Sequence, residues 1–316
     1  MFEGVLPAII TPFSRNSSQS LNTRGLVENL EYLLSQGIDG VVPCGSTGES
    51  ATLTFDEHEK VIELTIDTVN GKVPVLAGTG SNNTAEAVRL TKAAKDLGAD
   101  GVLVISPYYN KPNRAGLIKH YTKLASIDIP VIMYNVPGRT GQNLEPDLVA
   151  ELAKHPNIAG IKEASGNISQ ISRIIEDTRD EDFLVISGDD NMTMPIMALG
   201  GSGVISVAAN VAPKQMVAMS DAMRNGDYAT ALAIHYELSP LFRSMFIDTN
   251  PIPVKKAVEL CGMAAGPVRL PLDELDAKKT EQLASVLKTA GLIGGAKKSA
   301  AKKTGKAKPA KKKGRR

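Results

Sequence analysis

Tryptophan is absent from this 316-residue sequence, aromatic residues make up only 4%, and cysteine occurs twice, as Cys44 and Cys261. Two thiols cannot build a disulfide framework, so the fold must rest on a buried apolar core, and a reducing cytoplasm is the expected compartment. No apolar run approaches the roughly 18 residues needed to cross a membrane, which argues against a helical span. The start, Met1-Phe2-Glu3-Gly4, is acidic and passes straight into a strand-like segment, unlike a signal peptide. The four histidines, His58, His120, His155 and His235, lack ligand spacing, so no metal is expected. Asp56-Glu57-His58-Glu59 reads instead as the solvated face of a helix turn. A nucleotide fingerprint is also missing. Gly78-x-Gly80 is a weak signal by itself, and Gly200-Gly201-Ser202-Gly203 reads as a turn into a strand. No organic cofactor is implied.

What is present is ordinary globular composition, 42% hydrophobic and 22% charged, in a length that fits one large domain or two smaller ones. The net charge of +2 conceals an asymmetry. Residues 297–316 hold nine Lys, two Arg and no acid, which leaves 25 basic against 34 acidic residues in the rest. Such a tail has no apolar periodicity and is expected to be disordered. Its functional reading is non-specific attraction to nucleic acid or another polyanion, and the alternative is a solvated appendage without a partner. Cys44 flanks a Gly-rich loop, but no histidine is marked as its base, so a small buried thiol is expected there.

Eight strand-like segments recur, at residues 4–13, 40–45, 73–80, 101–109, 129–137, 158–166, 183–190 and 203–210. They are rich in Val and Ile and nearly continuous in hydrophobicity, as expected when both faces are covered. Amphipathic helical patterns separate them, as over 84–97, and Thr54 with Glu57 makes a capping box before Val61, Ile62 and Leu64. This alternation predicts an α/β fold, a (β/α)8 TIM barrel, with the open doubly wound sheet disfavoured by the missing fingerprint. After about residue 213 the pattern turns wholly helical. The expected organisation is a barrel over 1–223, a C-terminal helical region over 224–293 and the Lys-rich tail over 294–316.

One residue stands out. Lys162 lies in the strand-like run Ile158-Ala159-Gly160-Ile161-Lys162-Glu163-Ala164-Ser165-Gly166. Alternation puts Ile161 and Glu163 on one face and Gly160, Lys162 and Ala164 on the other, so the lysine faces a space lined by small residues. Poor solvation lowers an amine's pKa, and a neutral amine can attack a carbonyl to form a Schiff base. A strand-end lysine paired with a surface acid is the alternative. Barrel chemistry collects at the C-terminal ends of strands, and polar residues gather at those ends here. They include Gly45-Ser46-Thr47-Gly48-Glu49-Ser50, Ser106-Pro107-Tyr108-Tyr109, Tyr134-Asn135-Val136-Pro137-Gly138-Arg139, Ser187-Gly188-Asp189-Asp190 and Asp248-Thr249-Asn250. Schiff-base formation needs proton movements, for which Tyr134, Thr47 and Tyr109 are candidates. The glycines around Ser46 and Thr47 let backbone N–H groups approach a carboxylate, and Arg139 offers a planar fork for a second one.

In GSTGES, SPYYNKP, YNVPGRTG, IKEASGN and SGDD, over roughly residues 1–292, the chain resembles the dihydrodipicolinate synthases. These belong to the class I pyruvate-dependent aldolase family, which also holds the N-acetylneuraminate lyases. The resemblance implies that Lys162 binds pyruvate as a Schiff base, with no other cofactor, and that the adduct attacks aspartate-4-semialdehyde. It implies Tyr134, Thr47 and Tyr109 as proton relay, Tyr109 reaching across a dimer interface of a homotetramer. Ser46 and Thr47 would bind the pyruvate carboxylate and Arg139 that of the semialdehyde, with Gly188, Ile205 and Asn250 lining the site. The family loop often reads Gly-Thr-Thr-Gly-Glu, and Ser46 keeps the hydroxyl. The lyases typically carry an apolar residue where Arg139 stands. The resemblance further implies L-lysine as an effector, bound by Ser50, Ala51, Phe55, His58, Asn82, Glu86 and Tyr108. Lysine-sensitive members often have histidine at the position of Phe55.

Overall fold

The computed structural model describes residues 1–294. The basic segment from 295 onward, and with it the expected disordered tail, lies outside the described residues. Seven strands form one parallel sheet in the order β1-β7-β6-β5-β4-β3-β2. They are β1 Gly4–Pro7, β2 Leu76–Gly78, β3 Gly101–Ile105, β4 Val131–Asn135, β5 Ile158–Glu163, β6 Leu184–Ser187 and β7 Gly203–Ser206.

The expected strand over 40–45 is not a regular strand, yet it closes the ring. Asp39 and Val42 donate N–H bonds to Val5 and Pro7 of β1 at 3.0 and 2.9 Å. On its other side Leu76 and Gly78 of β2 donate to Val41 and Pro43, each at 2.9 Å. Pro7, Pro43 and Pro74 fall along this seam and lack an N–H, so the ladder thins to isolated bridges, Ala8 with Val42 and Val41 with Val75. The other strands are shorter than their apolar runs for a related reason. Their last residues leave the sheet to build the rim, where Pro137–Thr140 turns into a short helix with proline in its first turn and Ala208–Asn210 into a 3-10 turn.

Apolar residues divide into an interior and a wrapping layer. Phe2, Leu6, Val42, Leu76, Leu103, Ile132, Ile186 and Ile205 fill the interior. Alternate residues such as Val102, Val104, Val131, Met133 and Ile161 pack outward against the helices. The helix Phe55–Val69 opens with the expected capping box, Glu57 N–H to Thr54 Oγ1 at 3.2 Å and Thr54 N–H to Glu57 Oε2 at 3.0 Å. The helices Pro213–Arg224, Tyr228–Ser244, Ile252–Leu260 and Ala277–Thr289 share one buried cluster with Val5 of β1 and Val204 of β7. Pro213–Arg224 packs directly on β1 and the other three build outward from it, and the helix Ile252–Leu260 brings the loop before it over the rim.

Candidate active site

Register builds the centre of the site. Tyr134 of β4 pairs with Lys162 of β5, and Lys162 with Ile186 of β6. Parallel partners sit about 4.8 Å apart with side chains on the same face, so the phenol and the amine are forced together inside the ring. Lys162 Nζ lies 4.3 Å from the Tyr134 ring centroid. Glu163 faces the other way, toward the wrapping layer, where Asn135 Nδ2 and the Ser165 N–H donate to its carboxylate at 3.0 and 2.7 Å.

Lys162 is buried, and loss of solvation pulls its pKa down from 10.5 to about 7. The nearby Asp190 carboxylate pushes it back up, and Arg139 pushes it down. The same desolvation raises the Tyr134 phenol to about 12. Asp190 is raised to about 6, again by burial, although Ser206 Oγ and the N–H groups of Val207 and Ala208 all donate to it. An amine and a phenol side by side thus have opposite tendencies: burial makes the amine give up its proton more readily and makes the phenol keep its own.

A cavity of about 170 Å³ opens above Lys162, lined by Ser46, Thr47, Tyr134, Arg139, Gly188 and Asn250 among others. In the turn over 45–50, Gly45 O accepts from the N–H of Gly48 at 3.0 Å and of Ser50 at 3.4 Å. The N–H groups of Ser46 and Thr47 take no partner within the described residues, so two donors are left at the cavity wall. Asn250 Nδ2 donates to Thr47 Oγ1 at 3.0 Å, and Arg139 donates to Asn250 O at 2.9 Å. Gly188 is required by close approach: a Cβ there would stand 2.7 Å from Ala164 Cβ and 3.0 Å from Lys162 Cε. Ile205 is fully buried in the interior cluster that also holds Tyr134, and it is not part of this cavity's wall. Tyr109 is not brought to Lys162 within one chain. It is 88% exposed, on a left-handed residue at φ 71°.

A second cavity of about 440 Å³ adjoins the first, sharing Gly45, Ser46, Tyr134, Arg139 and Asn250 in its wall. Of the expected effector residues, Ser50, Ala51, Phe55, His58, Glu86 and Tyr108 line it. Asn82 is tied to the same wall through its Nδ2, which donates to Tyr108 O at 3.1 Å. His58 corrects the reading of residues 56–59 as a solvated face. It is buried, and desolvation lowers its pKa to about 4, so it is neutral at pH 7. Phe55, in place of a polar side chain, carries the Arg89 guanidinium 3.9 Å from its ring centroid. Cys44 is a buried thiol with its pKa raised by desolvation, as expected.

Asp190 is the residue that sequence reading passed over. Its signal was the second acid of Ser187-Gly188-Asp189-Asp190, at a strand end where one acid would serve for a turn. Among the described residues, no group of three acidic, His or Cys side chains could hold a metal ion. Nor is any described helix long and apolar enough to cross a membrane.

The model of the dihydrodipicolinate synthetase family matches residues 1–290. A 4-hydroxy-tetrahydrodipicolinate synthase of Methanoculleus marisnigri is 74% identical over 287 residues, 91% of this chain and 99% of its own length. The structure of a chloride-inhibited dihydrodipicolinate synthase from Acinetobacter baumannii complexed with pyruvate is similar at a TM-score of 0.90 and 40% identity, covering 93% of this chain and 100% of that one. The enzyme from Cyanidioschyzon merolae with lysine bound is similar at a TM-score of 0.88 and 39% identity, covering 92% and 99%.

Proposed function

The chain belongs to the dihydrodipicolinate synthetase family and is a lyase, and from that premise we propose that it joins pyruvate to L-aspartate-4-semialdehyde through a Schiff base on Lys162. The product is 4-hydroxy-tetrahydrodipicolinate, which opens diaminopimelate and lysine biosynthesis. The observation that carries the reading is the buried Lys162 amine, brought down to about 7, over the Tyr134 ring in a cavity whose wall also holds Ser46 and Thr47. The neutral amine attacks the pyruvate C2 carbonyl, and the resulting hydroxyl leaves as water once protonated. Loss of a C3 proton gives an enamine, which attacks the aldehyde carbon. The semialdehyde's own amine then displaces Lys162, closing the ring and freeing the enzyme. No metal or organic cofactor enters this scheme, and two unpaired cysteines suit a cytoplasmic enzyme.

Ser46 and Thr47 hold the pyruvate carboxylate in this reading, and Tyr134 with Thr47 moves protons. A solvent-facing Tyr109 suits a relay completed by a second copy, in a dimer of dimers. Borohydride reduction with pyruvate tests the covalent step: Lys162 should gain the pyruvate-derived mass, and no gain would refute it. Offering aspartate-4-semialdehyde and N-acetylmannosamine in parallel tests the acceptor, the first being the only one expected to turn over.

Arg139→Ala should raise the Michaelis constant for the semialdehyde about tenfold or more, the worth of a charge-assisted carboxylate pair. The constant for pyruvate should change far less. Equal changes in both would remove Arg139 from the second carboxylate.

The second cavity supports L-lysine as an effector. Glu86, whose carboxylate accepts from Ser81 Oγ at 2.8 Å, offers a partner for the ligand ammonium. Phe55 removes one polar contact, so partial inhibition at millimolar lysine is expected in a titration at saturating pyruvate. No inhibition would refute the effector, and inhibition surviving Glu86→Ala would place its site elsewhere.

A further inference from the structure

Glu49 and Lys255 stand 206 positions apart in sequence, yet they meet at 2.6 Å with side chains 1% and 2% exposed. Lys255 Nζ also donates to Pro267 O at 2.7 Å and lies 4.3 Å from the Phe13 ring centroid. The second Glu49 oxygen accepts the Arg269 N–H at 2.9 Å. Both charges are therefore fully served away from water. Desolvating such a pair costs several kcal/mol per ion, and an apolar pair of equal volume is often as stable or more so. Stability by itself does not account for it. What a buried pair supplies is a single allowed geometry, since each charge can be satisfied in only one place.

That geometry fixes the loop over Lys162. Glu49 is the last residue of Gly45-Ser46-Thr47-Gly48-Glu49 and sits at φ 54°, a left-handed conformation that needs holding in place. Thr11 Oγ1 donates to Gly48 O at 2.7 Å from the opposite side. Lys255 belongs to the helix Ile252–Leu260, which begins just after Asn250, the partner of Thr47. Loop and helix are thus joined at two points, Thr47 with Asn250 and Glu49 with Lys255.

We propose that Glu49 and Lys255 are positioning residues that hold the Ser46 and Thr47 N–H groups aimed into the cavity as a carboxylate cradle. The inference rests on the Schiff-base reading of the site. With the pair broken, the loop samples other turns, and apparent pyruvate affinity falls by the fraction of time the cradle is lost. Lys162, on β5, keeps its place.

Kinetics of Glu49→Gln and Lys255→Met at saturating semialdehyde test this. The pyruvate KM should rise about tenfold, while the extent of borohydride trapping at saturating pyruvate and its pH midpoint match the parent. The double variant Glu49→Met/Lys255→Met places an apolar pair there and should regain thermal stability while its pyruvate KM stays high. Unchanged KM in the single variants, or a double variant in which KM returns together with Tm, overturns the proposal. If the single variants do not fold, Thr11→Val loosens the same loop from its other side. Its pyruvate KM should rise about threefold, and an unchanged value overturns the proposal equally. A parent enzyme that pyruvate and borohydride fail to label would instead defeat the Schiff-base reading, with these variants then carrying no cradle to position.

Discussion

Lys162→Ala is expected to abolish pyruvate adduct formation and to lower turnover by on the order of 10⁴-fold or more, because the covalent route has no other nucleophile. The fold should survive, since the change removes a buried amine from an interior otherwise filled by Leu103, Ile132, Ile186 and Ile205. A folded variant that still gains mass after borohydride would assign the Schiff base to another amine. The pH dependence of the parent carries the same assignment. Burial lowers the Lys162 pKa to about 7, so the reactive neutral form is scarce below that value and dominant above it. The rate of trapping should climb with pH through about 7 and level off above it, as the amine sheds its proton. A lysine at its ordinary 10.5 would keep climbing past pH 9. Asp190 holds the midpoint up, so replacing it with asparagine should move the climb to lower pH.

The centre of the site was legible because it is local. Strand alternation around Lys162 places it inward from sequence alone, and the neighbouring strand end supplies Tyr134. Seven of the eight expected strands, and the helices between them, followed from the Val and Ile runs and their amphipathic partners. Other features depend on what no single segment contains. The seam at 39–43 is thinned by Pro7, Pro43 and Pro74, which come together only when the ring closes. His58 sits in an acidic, helical stretch that looks solvated, and it is buried where its helix meets Cys44 and Gly78 of the sheet side. Lys255 lies three residues from both Ile252 and Val258, on the apolar stripe of its helix, which marks it as a buried charge. Its partner Glu49 is a tertiary fact. Tyr109 poses the opposite problem: its motif marks it as functional, but one chain leaves it at the surface.

Tyr134→Phe is expected to slow turnover by roughly 10²-fold or more, the usual worth of a positioned acid–base group. The substitution keeps the ring that underlies Lys162 Nζ at 4.3 Å and removes only the hydroxyl. Burial holds that phenol at about 12, so it carries its proton throughout the working range and acts as a donor. In the proposed mechanism its part is to give the proton that lets the pyruvate-derived hydroxyl leave as water, and to recover one from a neighbouring hydroxyl. Thr47 is suited to that exchange, because Asn250 donates to its oxygen and leaves its own hydrogen free to point into the cavity. The pyruvate KM should shift little, since the proposed carboxylate cradle is the loop over 45–49 and not the phenol. Rapid-quench trapping separates the steps: slow appearance of the reducible adduct, with the Lys162 midpoint still near 7, places the loss in dehydration. Turnover equal to the parent's would take Tyr134 out of the relay and leave Thr47 to work with a proton source from a second subunit.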